Sequence, residues 1–270
     1  MSVLVVDVGN SAWKAGLFDD SKSVASEAQT GGVIGLPEPI ATFVAESAEG
    51  LVEEIGELAP DRVLIGSVVR GASDELRSHQ PPYWPSPEQL TYRDVPLALD
   101  VRYPDRTGID RLAAAAAASR LRPDAVVCVV DLGTAATIDL VVNQTFLGGL
   151  ILPGPATMFR SLSTAADALP DLKWNPASAA LPADSVRDRV GRDTAAAMSL
   201  GVGELLDAML SCVAPNVLRS TAAKFASKPA ILMLTGGFSN RDVPELPFEV
   251  RVEPHLTLMG LAAMAGCSDR

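Results

Sequence analysis

Residues 3–12 (VLVVDVGNSA) align without a gap on residues 127–136 (VCVVDLGTAA). Each copy is an apolar, β-branched run closed by Asp, an apolar residue and Gly. Such a run reads as a buried strand ending in a turn. Both copies continue as a hairpin, through residues 12–18 and 137–142, with Asp19-Asp20 as the first hairpin's turn. The repeat therefore predicts two related domains facing each other, residues 1–115 and 116–270.

The rest of the chain interleaves strands with helices, which predicts an α/β class. Further strands are expected at 62–69, 95–101, 125–130, 146–152 and 230–234. Apolar residues at helical spacing (Ile40, Phe43, Val44, Leu51, Ile55, Leu58) predict one amphipathic helix or two short ones over 38–58. A helix starts over 74–78, and an alanine-rich helix spans 110–121. Further helices are expected at 156–168, 194–212 and 256–265. Four prolines in 81–87 mark a loop.

Composition excludes several classes. Forty-eight percent of the 270 residues are hydrophobic, too many for a disordered chain. Only 5% are aromatic, so the core is aliphatic. A net charge of −11 argues against a nucleic-acid or anionic-membrane surface. It leaves room for anions held by backbone N–H groups. Cys128, Cys212 and Cys267 are too scattered for a disulfide framework or a zinc site. With only His79 and His255, a histidine triad or histidine-ligated metal is not expected. The N-terminus lacks a signal-peptide pattern, and the alanine run 113–118 is far too short to span a membrane. A soluble cytoplasmic protein is expected.

The two turns suit phosphate chemistry. Glycine lets the backbone turn sharply and lets an anion approach it. Successive N–H groups can then bond phosphate oxygens, with Asn10, Ser11 and Thr134 adding side-chain donors. An Asp at the strand end can hold a hydrated magnesium ion. Two such loops can grip a triphosphate from opposite sides. Lys14 adds a cation near the phosphates, or is a solvated hairpin lysine.

The two loops resemble the phosphate-binding loops of the acetate and sugar kinase, Hsp70 and actin superfamily. Thr235-Gly236-Gly237 resembles its adenosine-contacting glycine pair. Within that superfamily the chain resembles the type III pantothenate kinases. Asp7-Val8-Gly9-Asn10-Ser11 is similar to their DxGN(T/S), and Gly108-Ile109-Asp110-Arg111 to their GxDR. Residues 131–139 (DLGTAATID) are similar to DxGTAxTxD, and residues 148–154 (GGLILPG) to GGxIxPG. The four motifs stand in the family's order. Ser11 replaces the usual Thr, and Ala136 stands where Thr is common.

The resemblance implies duplicated ribonuclease H-like (actin-like ATPase) domains around a central cleft. It implies transfer of a phosphoryl group from ATP to the primary hydroxyl of pantothenate, the entry to coenzyme A synthesis. ATP contacts would come from Asp7, Val8, Gly9, Asn10, Ser11, Ala12, Trp13, Lys14 and Thr134. Asp7 would orient magnesium through its waters, and Asp131 would help hold a monovalent cation, potassium or ammonium. Asp110 would be the catalytic base, or it is a plain helix cap. Arg111 would bind the substrate carboxylate, or pair with Asp105 or Asp110. Gly108, Ile109 and Tyr103 would complete the acceptor site, Tyr103 being displaced by a couple of residues from the family's position. Thr194 would reach pantothenate across a homodimer interface, or cap its helix. The apolar helix 194–212 could supply that interface or belong to the core. A phosphohydrolase on the same fold and a non-catalytic nucleotide-binding regulator are the alternative functions.

Overall fold

The computed structural model describes residues 1–19, 36–174, 190–225, 227–237 and 245–265. Asp20 and Cys267, singled out above, lie outside the described residues. The first half contains β1 (Ser2–Val8), β2 (Trp13–Asp19), β3 (Ala41–Ala45), α1 (Ala48–Ile55), β4 (Arg62–Ser67), α2 (Ala72–His79) and β5 (Glu88–Gln89). A short strand β6 (Ala98–Leu99) and helix α3 (Ile109–Leu121) follow. Then come β7 (Val126–Leu132), β8 (Ala135–Val142), β9 (Thr145–Pro153), α4 (Pro155–Ala165), α5 (Thr194–Ala208) and α6 (Ala214–Ala222). The last elements are β10 (Ala230–Thr235), β11 (Glu249–Val252) and α7 (Leu256–Ala265).

The repeat in the sequence is a repeat in topology. The first sheet has the order β3-β2-β1-β4-β5, and the second runs β9-β8-β7-β10-β11, with β6 added beside β9. Corresponding pairs match in direction. β1–β2 and β7–β8 are antiparallel, as are β2–β3 and β8–β9. β1–β4 and β7–β10 are parallel, as are β4–β5 and β10–β11. This is a duplicated ribonuclease H-like fold.

Strand parity builds the layers, because alternate side chains point to opposite faces of a sheet. Leu4, Val6 and Val8 face outward onto α1 and α2. Val126, Cys128 and Val130 face outward onto α5 and α6. Val3, Val5, Val127 and Val129 face inward, onto α3 and α7. Both inner faces thus share one central helical layer. Ala113, Ala114, Ala115, Ala116, Ala117 and Ala118 are all buried there, and α3 packs close against α7, where a Cβ on Gly260 would strike the Ala113 backbone.

Three expectations need correction. The span 38–58 is a strand followed by a helix: β3 pairs with β2, while Ser47 caps α1 by accepting a hydrogen bond from Gly50 N at 3.1 Å. The apolar residues shared between them mimic a helical period. The strand expected over 95–101 shrinks to the two residues of β6, because only its backbone at 98–100 meets the edge of β9. The helix expected over 194–212 runs on to 225. A π-helical turn at Met209–Val213 leads into it, with Pro215 in the first turn of α6. Proline lacks the N–H for a regular bond to the preceding turn. Residues 194–225 are long and apolar enough to cross a membrane by length and composition. Here their inner face (Met198, Val202, Leu206, Leu210, Leu218) packs in the second core.

Candidate active site

Parity also delivers the acidic residues. Asp7 is the last but one residue of β1, in phase with Val3 and Val5, and Asp131 the last but one of β7, in phase with Val127 and Val129. Both therefore project into the central layer from opposite sheets. The N-terminus of α3 enters the same layer and brings Asp110. The three carboxylates line one cavity of about 300 Å³ together with Gly9, Asn10, Ser11, Ala12, Lys14, Gly133, Thr134 and Gly237.

The two glycine turns close on each other. Gly9 N donates to Ala12 O at 3.0 Å, and Gly133 N to Ala135 O at 3.1 Å. The hydroxyls of Ser11 and Thr134, one from each half, share a 2.8 Å hydrogen bond. The GGLILPG segment buttresses the second turn: Gly154 N donates to Thr134 O at 3.0 Å and Thr157 Oγ1 to the same oxygen at 2.6 Å. Gly236, at φ 91°, makes room for Asp131. A Cβ there would collide with Asp131 Oδ1 and the backbone of Leu132.

Electrostatics mark the cavity. Burial raises Asp7 to about 7, aided by the charges of Asp110 and Asp131 and opposed by Lys14. Asp131 is raised by burial to about 6, opposed by Lys14. Asp110 is raised by burial, and the Arg111 N–H bond and charge oppose the rise. Lys14 stands directly opposite Asp7 in the β1–β2 ladder, so it faces the cavity rather than bulk solvent. Strongly perturbed carboxylates sharing a cleft are a signature of a functional site.

Other expected residues fall elsewhere. Val8 and Trp13 point into the first core. Ile109 is buried in the central layer. Tyr103 is exposed, with the guanidinium groups of Arg102 and Arg106 at 5.3 and 4.8 Å from its ring centre. Gly108, not Asp110, is the N-cap of α3, and Asp110 sits in the first turn. Asp193, not Thr194, caps α5. Thr194 lines a separate apolar groove between α4 and α5. Arg111 pairs with neither Asp105 nor Asp110. Its side chain reaches Asp139 in the second sheet. The motifs contained Asp139 without a role for it; a carboxylate inside the apolar run ATIDLVV already called for a buried cation. Phe43, Val44 and His255 were also missed; they line an adjoining cavity of about 210 Å³ that shares Asp7, Lys14, Asp131 and Gly237 with the first.

Two facing ribonuclease H-like sheets, with a glycine turn from each and acidic residues between them, define the duplicated actin-like ATPase fold. Solved structures share the fold. A Campylobacter jejuni protein described as a Baf family transcriptional activator has TM-score 0.51 at 20% identity, over 97% of each chain. Component A of Acidaminococcus fermentans (R)-2-hydroxyglutaryl-CoA dehydratase has TM-score 0.50 at 17% identity, over 99% of each. A family model described as type III pantothenate kinase matches residues 3–223, and the chain belongs to that family. The type III pantothenate kinase of Desulfovibrio desulfuricans is 31% identical over 268 residues, 96% of this chain and 94% of its own. That of Rhodopirellula baltica is 40% identical over 175 residues, 64% of this chain and 59% of its own length.

Proposed function

We propose that the protein transfers the γ-phosphoryl group of ATP to the primary hydroxyl of pantothenate, giving 4′-phosphopantothenate for coenzyme A synthesis. Family membership supports this, and one observation carries the chemistry: Asp7, Asp110 and Asp131 converge beside both glycine turns. Phosphoryl transfer needs positioning, charge neutralisation and a carboxylate near the attacking hydroxyl. The turns would hold the triphosphate through their N–H groups, with Lys14 beside them. Asp110 would accept the hydroxyl proton as the new P–O bond forms, its basicity raised by burial. Arg111 would face the acceptor carboxylate through Nη1, since only Nε and Nη2 bond Asp139 among the described residues.

The residues fit the expected cations. Three carboxylates share a cleft in which Lys14 is the cation facing all of them. Among the described residues no three acidic, His or Cys side chains cluster tightly enough to cage a metal. A magnesium ion would therefore keep waters and phosphate oxygens as ligands, as that ion prefers. Asp7 would orient those waters, and Asp131 would help hold potassium or ammonium. When bound, these ions supply positive charge against the triphosphate.

The test is an ATP-coupled assay with pantothenate, Mg²⁺ and K⁺. ADP release that depends on pantothenate is expected. ATP hydrolysis without an acceptor would establish a phosphohydrolase instead, and nucleotide binding without turnover a regulator.

A homodimer acting in the cytoplasm completes the reading. The groove holding Thr194 is apolar, and Leu162 and Leu205 beside it are 39% and 60% exposed. Light scattering should give twice the 28.2 kDa chain mass, and Leu205→Glu should give the monomer. A wild-type monomer rejects the dimer.

A further inference from the structure

We propose that Asp139 is a positioning residue: through Arg111 it holds the carboxylate of Asp110 at a set place relative to the phosphate loop of the other half. The proposal rests on the base role proposed above for Asp110. The Asp139 side chain is 2% exposed and that of Arg111 15%. Arg111 Nε donates to Asp139 Oδ2 at 3.0 Å and Nη2 to Oδ1 at 2.5 Å, a two-point clamp. The guanidinium also lies over the Phe146 ring, 5.8 Å from its centre.

The clamp meets the base at one residue. Arg111 follows Asp110, and its backbone N–H donates to Asp110 Oδ1 at 2.8 Å. Where the Arg111 backbone sits therefore decides where the Asp110 carboxylate points. At the other end, Asp139 stands on β8, which begins at Ala135 in the second phosphate turn. The brace thus ties the N-terminal turn of α3 to the strand that directly follows Thr134.

Space for the clamp is built into β9. Gly149 lies opposite Asp139 in the ladder, and a Cβ there would come 2.7 Å from Asp139 Oδ1 and strike the Ile138 carbonyl. This accounts for two motif residues, Asp139 and Gly149, that line neither of the two cavities described above. Stability alone is a poor reason for the pair. Desolvating two charges offsets much of their attraction, and apolar replacements are often as stable. A bidentate clamp fixes position and orientation, which an apolar contact would leave looser.

The test is steady-state kinetics with ATP and pantothenate on Asp139→Asn, Asp110→Asn and the double variant, with nucleotide affinity and melting measured alongside. Asp139→Asn should lower kcat by about 10- to 100-fold, the scale of a misplaced catalytic group, and leave nucleotide affinity within about twofold. In the Asp110→Asn background it should change the residual rate less than about threefold, because groups acting as one unit are not additive. An unchanged kcat, or losses that multiply in the double variant, overturns the proposal. If Asp139→Asn does not fold, Asp139→Glu is read the same way: it keeps the charge but displaces the carboxylate from the two-point clamp. A wild-type protein without pantothenate-dependent turnover overturns the reading of Asp110, and the proposal with it. An active wild type beside additive losses overturns the role of Asp139 alone.

Discussion

Asp110→Asn is expected to lower pantothenate-dependent turnover by about 10²- to 10⁴-fold, the usual worth of a positioned proton acceptor, while leaving the fold intact. The structure separates the two roles that the sequence left open for this residue. Gly108 is the N-cap of α3, so Asp110 is not the cap. Its carboxylate does accept the Arg111 N–H at 2.8 Å, but an asparagine carbonyl oxygen can accept the same bond. The substitution therefore removes the proton acceptor and keeps the local hydrogen bond. It also removes a buried charge whose protonation burial favours, so melting should be unchanged or raised. The check is kcat with saturating substrates beside a thermal melt. Turnover within about threefold of wild type, with a lowered melting temperature, would return Asp110 to a structural role.

Asp7→Asn should stabilise the nucleotide-free protein above neutral pH and remove its activity. The sign follows from the direction of the shift. In the unfolded chain Asp7 titrates near its ordinary 3.8, and in the fold near 7. Below about pH 4 the group is protonated in both states. As pH rises through 7 the folded protein must carry a buried charge that the unfolded chain carries in water, and stability falls. A rise of this size is worth on the order of 4 kcal/mol at most. Asp131, raised to about 6 by the same burial, adds to the trend. Asparagine has no charge to bury. The variant should melt several degrees higher at pH 8, and the gain should vanish by about pH 4. Turnover with Mg²⁺ and ATP should fall at least about 100-fold, because the carboxylate that orients the ion's waters is gone. A melting temperature equal to wild type at pH 8 would show that Asp7 is not strained by its surroundings. Such a trade of stability for a charged cleft is common where sites carry function.

Much of this architecture was legible in the chain. Two copies of one strand-and-turn pattern imply two equivalent sheets, because side-chain alternation and the Asp-x-Gly turn are local properties. The gapless alignment also put Asp7 and Asp131 at equivalent places in the two halves. The span 38–58 misled because Phe43, Leu51 and Ile55 satisfy a helical period by coincidence, while the free edge of β2 takes residues 41–45 as a strand. β6 was overextended because an alternating segment becomes a strand only where an edge is there to receive it. The protein partners offered for Arg111 as the alternative to substrate, Asp105 and Asp110, were sequence neighbours, since a partner 28 residues away across two layers leaves no local trace.

What the sequence alone determined is the repeated fold, the family and the residue types of the cleft, because strand period, turn chemistry and motif order are written locally. What only the tertiary structure decided is which charges meet. Lys14 faces Asp7, Ser11 touches Thr134, and Asp139 holds Arg111, because each contact depends on how two sheets and the helix between them stack. Burial, which raises the carboxylates, exists only once those layers have excluded water.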